Sequence, residues 1–355
     1  MGSRFRGSDN PAAASGDSVT VTGEDAVEEL RNRGVVVAGT GGIWQVRTTD
    51  GETHNVSIRG RLKKESDTAL KLTVGDDVWL ERSAAGESWA IAEILPRRSQ
   101  LARRMPGGGH GERVVAANID QVIVVFAAAR PEPHIRMMDR FLVIAEGNDL
   151  GARIVINKID LVDEAETRER FRDYERAGYP LHFTSRKNGT GLDELHDALA
   201  GRTSVLSGPS GVGKSSLLNG MYPGLNLRVG EISESVNKGR HTTVGAVLHP
   251  LPDAGYVVDT PGLREVGMWG MPSENLDACF PEFRGAIGEC RFSDCTHTAE
   301  PDCEVRAGVA NDGISGERYE SYVKLRGELE ETEKKWATYK PTPLGGKKRG
   351  TRRWL

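Results

Sequence analysis

No stretch of the chain carries about 18 consecutive apolar residues, so no membrane-spanning helix is expected. The opening MGSRFRGSDN has charges but no apolar core of the kind a secretory signal needs, and a cytoplasmic home is the expectation. Cysteine is scarce, with four in 355 residues. In a reducing compartment these read as metal ligands or core residues rather than disulfides. Acidic residues are missing from Trp336 onward, where Lys340, Lys347, Lys348, Arg349, Arg352 and Arg353 make a basic tail. The whole chain is not basic: its formal net charge is −4, which excludes binding to nucleic acid by bulk charge. Only local patches, the tail and the group Arg97, Arg98, Arg103 and Arg104, offer cations for RNA phosphates. The apolar fraction, 37%, supports real cores and leaves room for disordered ends, and the length implies two or three domains.

Residues 1–30 are rich in Gly, Ala, Ser and Asp without periodicity and read as a disordered arm. Over residues 31–96 short apolar runs alternate with turn signals: Val35–Val37, Ile43–Val46, His54–Ile58, Ala69–Leu72, Asp77–Leu80 and Trp89–Ile94. Many short strands at regular spacing predict a small all-β barrel of five strands, an OB-fold, with Arg59, Arg61, Lys63 and Lys64 inclining it toward RNA. Residues 97–115 read as a basic, Gly-rich linker around Gly107–Gly109.

From residue 116 to 270 the pattern turns α/β. Gln121–Phe126 and Ala152–Ile156 are continuous apolar runs, as in parallel strands covered on both faces. Gly208-Pro209-Ser210-Gly211-Val212-Gly213-Lys214-Ser215-Ser216 follows a β-prone run, Thr203–Leu206, and precedes a helix-prone one. It fits G-x-x-x-x-G-K-[ST], a loop whose backbone N–H groups and following helix N-terminus bind phosphate. Lys214 is placed for the β- and γ-phosphates and the Ser215 hydroxyl for Mg²⁺. Asn157-Lys158-Ile159-Asp160 ends a strand, where open α/β sheets place ligand contacts. A carboxylate at Asp160 accepts from the ring N–H and amino group of guanine, a donor pair adenine lacks, so a guanine nucleotide is expected. Thr184 and Ser185 are candidates for the other side of the base. Lys238–Thr243 supplies Thr242 or Thr243 to complete the Mg²⁺ shell. Asp259-Thr260-Pro261-Gly262 ends another strand, with Asp259 toward Mg²⁺ and the Gly262 N–H toward the γ-phosphate.

In Ras-like GTPases the phosphate loop comes first and N-K-x-D near the end. Here the order is rotated, the mark of a circularly permuted domain. Its last switch stretch runs directly into residues 271–335, where Cys290-(x4)-Cys295-x-His297-(x5)-Cys303 offers three thiolates and an imidazole, a closed structural-zinc set. Cys279, in an apolar segment, reads as core. A charged helix is expected over Tyr319–Lys335, with the basic tail filling 336–355.

The fold class is thus multidomain: an all-β OB-fold barrel, a circularly permuted α/β P-loop GTPase domain, and a mainly helical zinc-binding domain. This combination resembles the small-ribosomal-subunit-dependent GTPase family RsgA (YjeQ or YloQ) over residues 33–335. The residues that carry the likeness are ILPRRSQLAR, NKID, GPSGVGKSSLLN, KGRHTT, DTPGLREVG and the stretch from Cys290 to Cys303. The resemblance implies hydrolysis of GTP to GDP, stimulated by the small (30S) ribosomal subunit, in late assembly of that particle. It also implies contact of barrel and zinc domain with 16S rRNA, docking through the tail, and a monomer. Val244 stands where the family often has a third Thr, and Arg186 where Ser185 is commonly followed by Ala. Leu263 stands where Ras-like enzymes carry the Gln that orients water, so His241 is the candidate catalytic residue beside Lys214. Alternatives are a GTP-switched rRNA-binding scaffold with incidental turnover, or a large-subunit assembly GTPase.

Overall fold

The computed structural model describes residues 33–58, 71–82, 88–104, 112–225, 227, 246–259 and 271–338. Five strands, β1 (Arg33–Thr40), β2 (Ile43–Thr48), β3 (Thr53–Ile58), β4 (Asp77–Arg82) and β5 (Trp89–Ile94), close into a barrel in the order β1-β2-β3-β5-β4. Alternation does this: Val36, Val46, Val56, Val78, Leu80 and Ile91 point inward from the five strands and fill the interior. The run Ala69–Leu72, expected as a strand, is not one where it is described. Residues 71–73 carry no ladder, yet Leu72 and Val74 are buried, so the chain enters the core without pairing.

The span expected as a linker contains a hairpin, β6 (Gln100–Arg104) with β7 (Glu112–Ala117), while Gly107–Gly109 lie outside the described residues. Arg97, expected as part of a basic patch, turns inward: its Nε and Nη2 donate to the two oxygens of the fully buried Asp76 at 2.7 and 3.0 Å. Arg98 pairs with Asp120 at 2.8 Å. A buried carboxylate demands such a partner, so these two cations serve the fold. The barrel is fastened to the end of β7 by Ala117 N donating to Val74 O and, one residue on, by Asn118 Nδ2 donating to Gly75 O, both 2.9 Å.

The central domain is a six-stranded sheet, β8 (Gln121–Ala127), β9 (Gly151–Asn157), β10 (Leu181–Thr184), β11 (Thr203–Ser207), β12 (Val247–Pro250) and β13 (Tyr256–Asp259), ordered β10-β9-β8-β11-β13-β12. Only the edge strand β12 is antiparallel. Along β8, Val122, Val124 and Phe126 face α1 (Ile135–Glu146) and α2 (Glu164–Arg176), while Ile123, Val125 and Ala127 face α3 (Leu192–Leu199) and α4 (Lys214–Met221). Helices on both faces explain why this strand is apolar throughout. The chain steps from β8 to β9 to β10 in one direction, then crosses to β11 on the other flank of β8 and on to β13. Strand order reverses there, which opens the crevice where such sheets bind ligands.

The C-terminal domain packs 3₁₀ turns and α5 (Glu304–Ala310) against α6 (Gly316–Thr338), three residues beyond the expected helix at each end. Val143 of α1 belongs to the same apolar cluster as Phe280, Phe283, Tyr322 and Leu325. At that seam Arg318, 2% exposed, donates to Asp139 of α1 at 2.6 Å and to both oxygens of Glu282 at 2.7 and 3.0 Å. Tyr174 of α2 donates to the same Asp139 oxygen at 2.7 Å, and Phe280 lies under the guanidinium at 4.7 Å. No helix among the described residues is long and apolar enough to cross a membrane.

Candidate functional site

The phosphate loop leaves the sheet at Ser207 and ends at Gly213, where α4 begins. Its glycines are dictated by close neighbours. Gly208 has φ +132° and a Cβ there would lie 2.0 Å from Val125 O; Gly213 has φ +100° and a Cβ would lie 2.5 Å from Asn157 Nδ2. Only glycine fits either position. Val212 is fully buried and pins the loop from below. Lys214, 5% exposed, donates to Gly208 O and Pro209 O, both at 2.7 Å, so the loop closes around its own lysine. Ser215 is buried in the first turn of α4, Ser210 and Gly211 form the exposed crest, and Pro209 and Ser216 are half-buried.

The N-K-x-D residues divide their work in a way spacing does not reveal. Asn157, at the end of β9, is buried; its Nδ2 donates to Val212 O at 2.8 Å and its Oδ1 accepts from Thr184 Oγ1 at 3.2 Å. Lys158, in the left-handed region at φ +65°, donates from Nζ to Gly211 O at 2.7 Å and to Arg130 O. Asn157, Lys158 and the fully buried Thr184 therefore brace the phosphate loop from the side. Asp160 alone of the four motif residues is exposed with a carboxylate to offer, and Ser185 Oγ donates to its Oδ1 at 2.5 Å. Lys187 N donates to the same Ser185 oxygen at 3.2 Å. One carboxylate edge is thus oriented by the protein, leaving the rest for a pair of donors.

Asp259 ends β13, which pairs in parallel with β11, so its carboxylate shares the carboxyl edge of the sheet with the phosphate loop. His241, Thr242, Thr243 and Gly262 lie outside the described residues.

The second candidate site is in the C-terminal domain. The ligand atoms of Cys290, Cys295, His297 and Cys303 all lie within 4.8 Å of one another. His297 Nδ1 is 3.5 Å from Cys290 Sγ and 3.4 Å from Cys303 Sγ, and the two sulfurs are 3.9 Å apart. A tetrahedral zinc ion with its usual bond lengths requires S···S of about 3.8 Å and N···S of about 3.5 Å. The donors stand at those spacings. His297 is buried at φ +57°, and Asp277 Oδ2 sits 3.4 Å from its other nitrogen, the outer-shell carboxylate that fixes which nitrogen faces a metal. Asp277 is the main cause that pushes His297 up to about 9. Tyr319 and Tyr322 of α6 donate to His297 O and Thr296 O at 2.9 and 2.8 Å, tying the cluster to the helix. Cys279 stands apart in the core, beside Met271 and Asn275 O, and burial pushes its thiol up to about 12.

A model of the RsgA GTPase family matches residues 94–269. The small ribosomal subunit biogenesis GTPase RsgA of Gemmatimonas aurantiaca is 61% identical over 297 residues, covering 83% of this chain and 97% of that protein. The protein of the same description from Bacteroides fragilis is 36% identical over 305 residues, covering 84% and 97%. Among solved structures, YjeQ from Thermotoga maritima superposes with a TM-score of 0.70 at 38% identity, over 84% of this chain and 99% of that one. YloQ, a circularly permuted GTPase, gives 0.65 at 28% identity over 84% and 95%. Barrel, rotated sheet order, phosphate loop and cysteine–histidine cluster agree with that likeness along most of the chain, which belongs to the RsgA GTPase family.

Proposed function

We propose that this GTPase acts in the biogenesis of the small ribosomal subunit, binding the particle in its GTP form and leaving it after hydrolysis. The observation that carries this reading is a glycine loop wrapped around Lys214, braced by Asn157 and flanked by an Asp160 carboxylate oriented by Ser185. The loop N–H groups from Gly208 to Ser216 cradle the phosphates and Lys214 reaches the β- and γ-oxygens. Asp160 reads guanine against adenine. Ser215, Asp259 and either Thr242 or Thr243 would supply hard oxygen donors of the kind Mg²⁺ takes, and the ion would supply positive charge against the phosphates. The Gly262 N–H is assigned to the γ-phosphate from its place in the D-T-P-G motif. With Leu263 unable to orient water, the free enzyme turns over slowly, and His241 takes that role when the particle is bound.

Barrel, zinc domain and basic tail contact 16S rRNA, and the protein works as a cytoplasmic monomer. GTP hydrolysis measured alone, with small subunits and with large subunits tests the reading. Strong stimulation by small subunits only is expected, and its loss in His241→Ala; equal, slow turnover in all three mixtures overturns the assignment.

Cys290, Cys295, His297 and Cys303 would hold one structural Zn²⁺, whose bonds would supply folding energy to the irregular stretch between the 3₁₀ turns and α5. One zinc per chain is expected by atomic absorption. Stripping it with a chelator should make residues 271–338 protease-sensitive while GTP still protects the central domain.

A further inference from the structure

A cleft of about 740 Å³ lies at the amino ends of β8, β9 and β11, on the edge of the sheet opposite the phosphate loop. Its far wall is Pro281 and Arg284 of the C-terminal domain. Besides Arg284, two guanidinium groups line it, Arg153 from β9 and Arg202 from the turn before β11.

The first is deliberately held. Gln121, 4% exposed, donates from Nε2 to Ala198 O at 2.6 Å and to Ser204 Oγ at 2.9 Å, and its Oε1 accepts from Arg153 Nε at 2.9 Å. A buried carboxamide fixed at both donors has one thing left to orient, and that is Arg153. Arg202 donates from Nη1 to Ala198 O at 3.1 Å, the carbonyl that also accepts from Gln121, so Gln121 links the two arginines.

The other charges of the cleft are accounted for. Asp120 is taken by Arg98 and by Thr203 N, both at 2.8 Å, and Glu146 by Arg284 at 2.5 Å. Asp149 stands on the exposed turn after α1. His182, with Nε2 3.5 Å from Arg153, adds no negative charge; burial and then Arg153 itself keep it neutral by lowering its pKa. Among the described residues neither Arg153 nor Arg202 has a carboxylate in salt-bridge range. Burial and the proximity of Arg202 both work against the charge on Arg153. Tyr179 is buried in the same wall.

We propose that Arg153 and Arg202 form a phosphate-binding pair that docks the sugar–phosphate backbone of RNA on the side of the GTPase domain away from the nucleotide. Planar forks match phosphate oxygens bidentately, and two of them converging without a counter-ion leave the site short of an anion. The exposed Asp149 favours RNA over an acidic peptide. A peptide would bring further carboxylates against it, whereas RNA places ribose 2′-hydroxyls beside each phosphate, donors that carboxylate accepts. The proposal rests on the reading that the partner is a ribosomal particle.

The test is the salt dependence of binding for the full-length protein with a non-hydrolysable GTP analogue, against purified small subunits and, separately, against a fluorescent single-stranded RNA. Arg153→Gln and Arg202→Gln should each weaken binding roughly five- to tenfold and lower the slope of log K against log [KCl] by about one. Arg153→Lys should restore most of the slope, and GTP turnover of the free protein should not change. Parental slopes in the double variant on both ligands overturn the pair, as does weakened binding to particles with unchanged binding to naked RNA, which points to a protein partner. If the parent ignores small subunits but the slope difference persists on RNA, the pair stands and the particle assignment falls.

Discussion

Lys214 and Arg318 are both buried cations, and the molecule holds them by different means. Arg318 is clamped by the carboxylates of Asp139 and Glu282, drawn from two domains, with Phe280 and Tyr174 against its plane. Lys214 donates to two carbonyls of its own loop. The two carbonyl oxygens aim the Lys214 ammonium group within its own loop, whereas the paired carboxylates lock the Arg318 guanidinium between two domains. The first arrangement prepares a cation for chemistry; the second turns one into structure. A buried ion pair gains little net stability over a well-packed apolar set, because desolvation offsets attraction, but removing one partner leaves the others stranded.

That contrast sets the size of each expected effect. Arg318→Ala should cost about 3–5 kcal/mol in chemical denaturation, since it strands two carboxylates. Arg318→Met combined with Asp139→Asn and Glu282→Gln should recover most of the loss, with GTP affinity of the folded protein unchanged. Lys214→Ala should leave the denaturation midpoint nearly in place yet reduce turnover by about 10²–10³-fold. A stability loss as large as that of Arg318→Ala would put Lys214 among the structural cations and break the comparison.

Glu300 sharpens it from the anionic side, being held by neutral donors. Burial opposes its ionisation, but the Thr296 hydroxyl and the N–H groups of Thr296, Thr298 and Ala299 hold it down to about 2. Its contribution is fully present above its unfolded value of 4.5 and is lost as pH falls from there toward 2. Glu300→Gln should therefore cost about 1 kcal/mol at neutral pH. Thermal melts in acid should show the gap to the parent closing.

The parts of the site legible in the sequence are those whose chemistry fixes a spacing. A phosphate loop needs Gly208, Gly213 and Lys214 at set intervals, and a four-donor metal set needs its cysteines and histidine within reach of one another. Alternation is enough to predict five barrel strands, because a barrel interior accepts every second side chain. Partnerships between residues far apart in the chain stay hidden. Arg97 looks like a solvated cation until Asp76 is found beneath it, and Arg318 like any charge on a helix until Asp139 is. Asn157 reads as a nucleotide contact because it shares a motif with Asp160, and Thr184 because it precedes Ser185 in the loop expected across the base, but their bonds go to the phosphate loop and to each other. Ala69–Leu72 has strand composition and supplies a core residue, yet its described part pairs with nothing. Composition reports burial and leaves pairing to the neighbours.

Asp139 and Arg318 are 179 residues apart. At ordinary rates of protein synthesis that separation is about 10–35 s. α1 and most of the sheet leave the ribosome in that interval with a carboxylate facing an apolar seam whose cation has not been made. Until it arrives, the hydrogen bond Asp139 keeps among the described residues is the one from the Tyr174 hydroxyl, and the carboxylate lacks the cation that offsets its burial. The nucleotide-binding half is thus complete before the C-terminal domain can close over it. During that time the young chain presents to chaperones and proteases a face that the finished protein never shows.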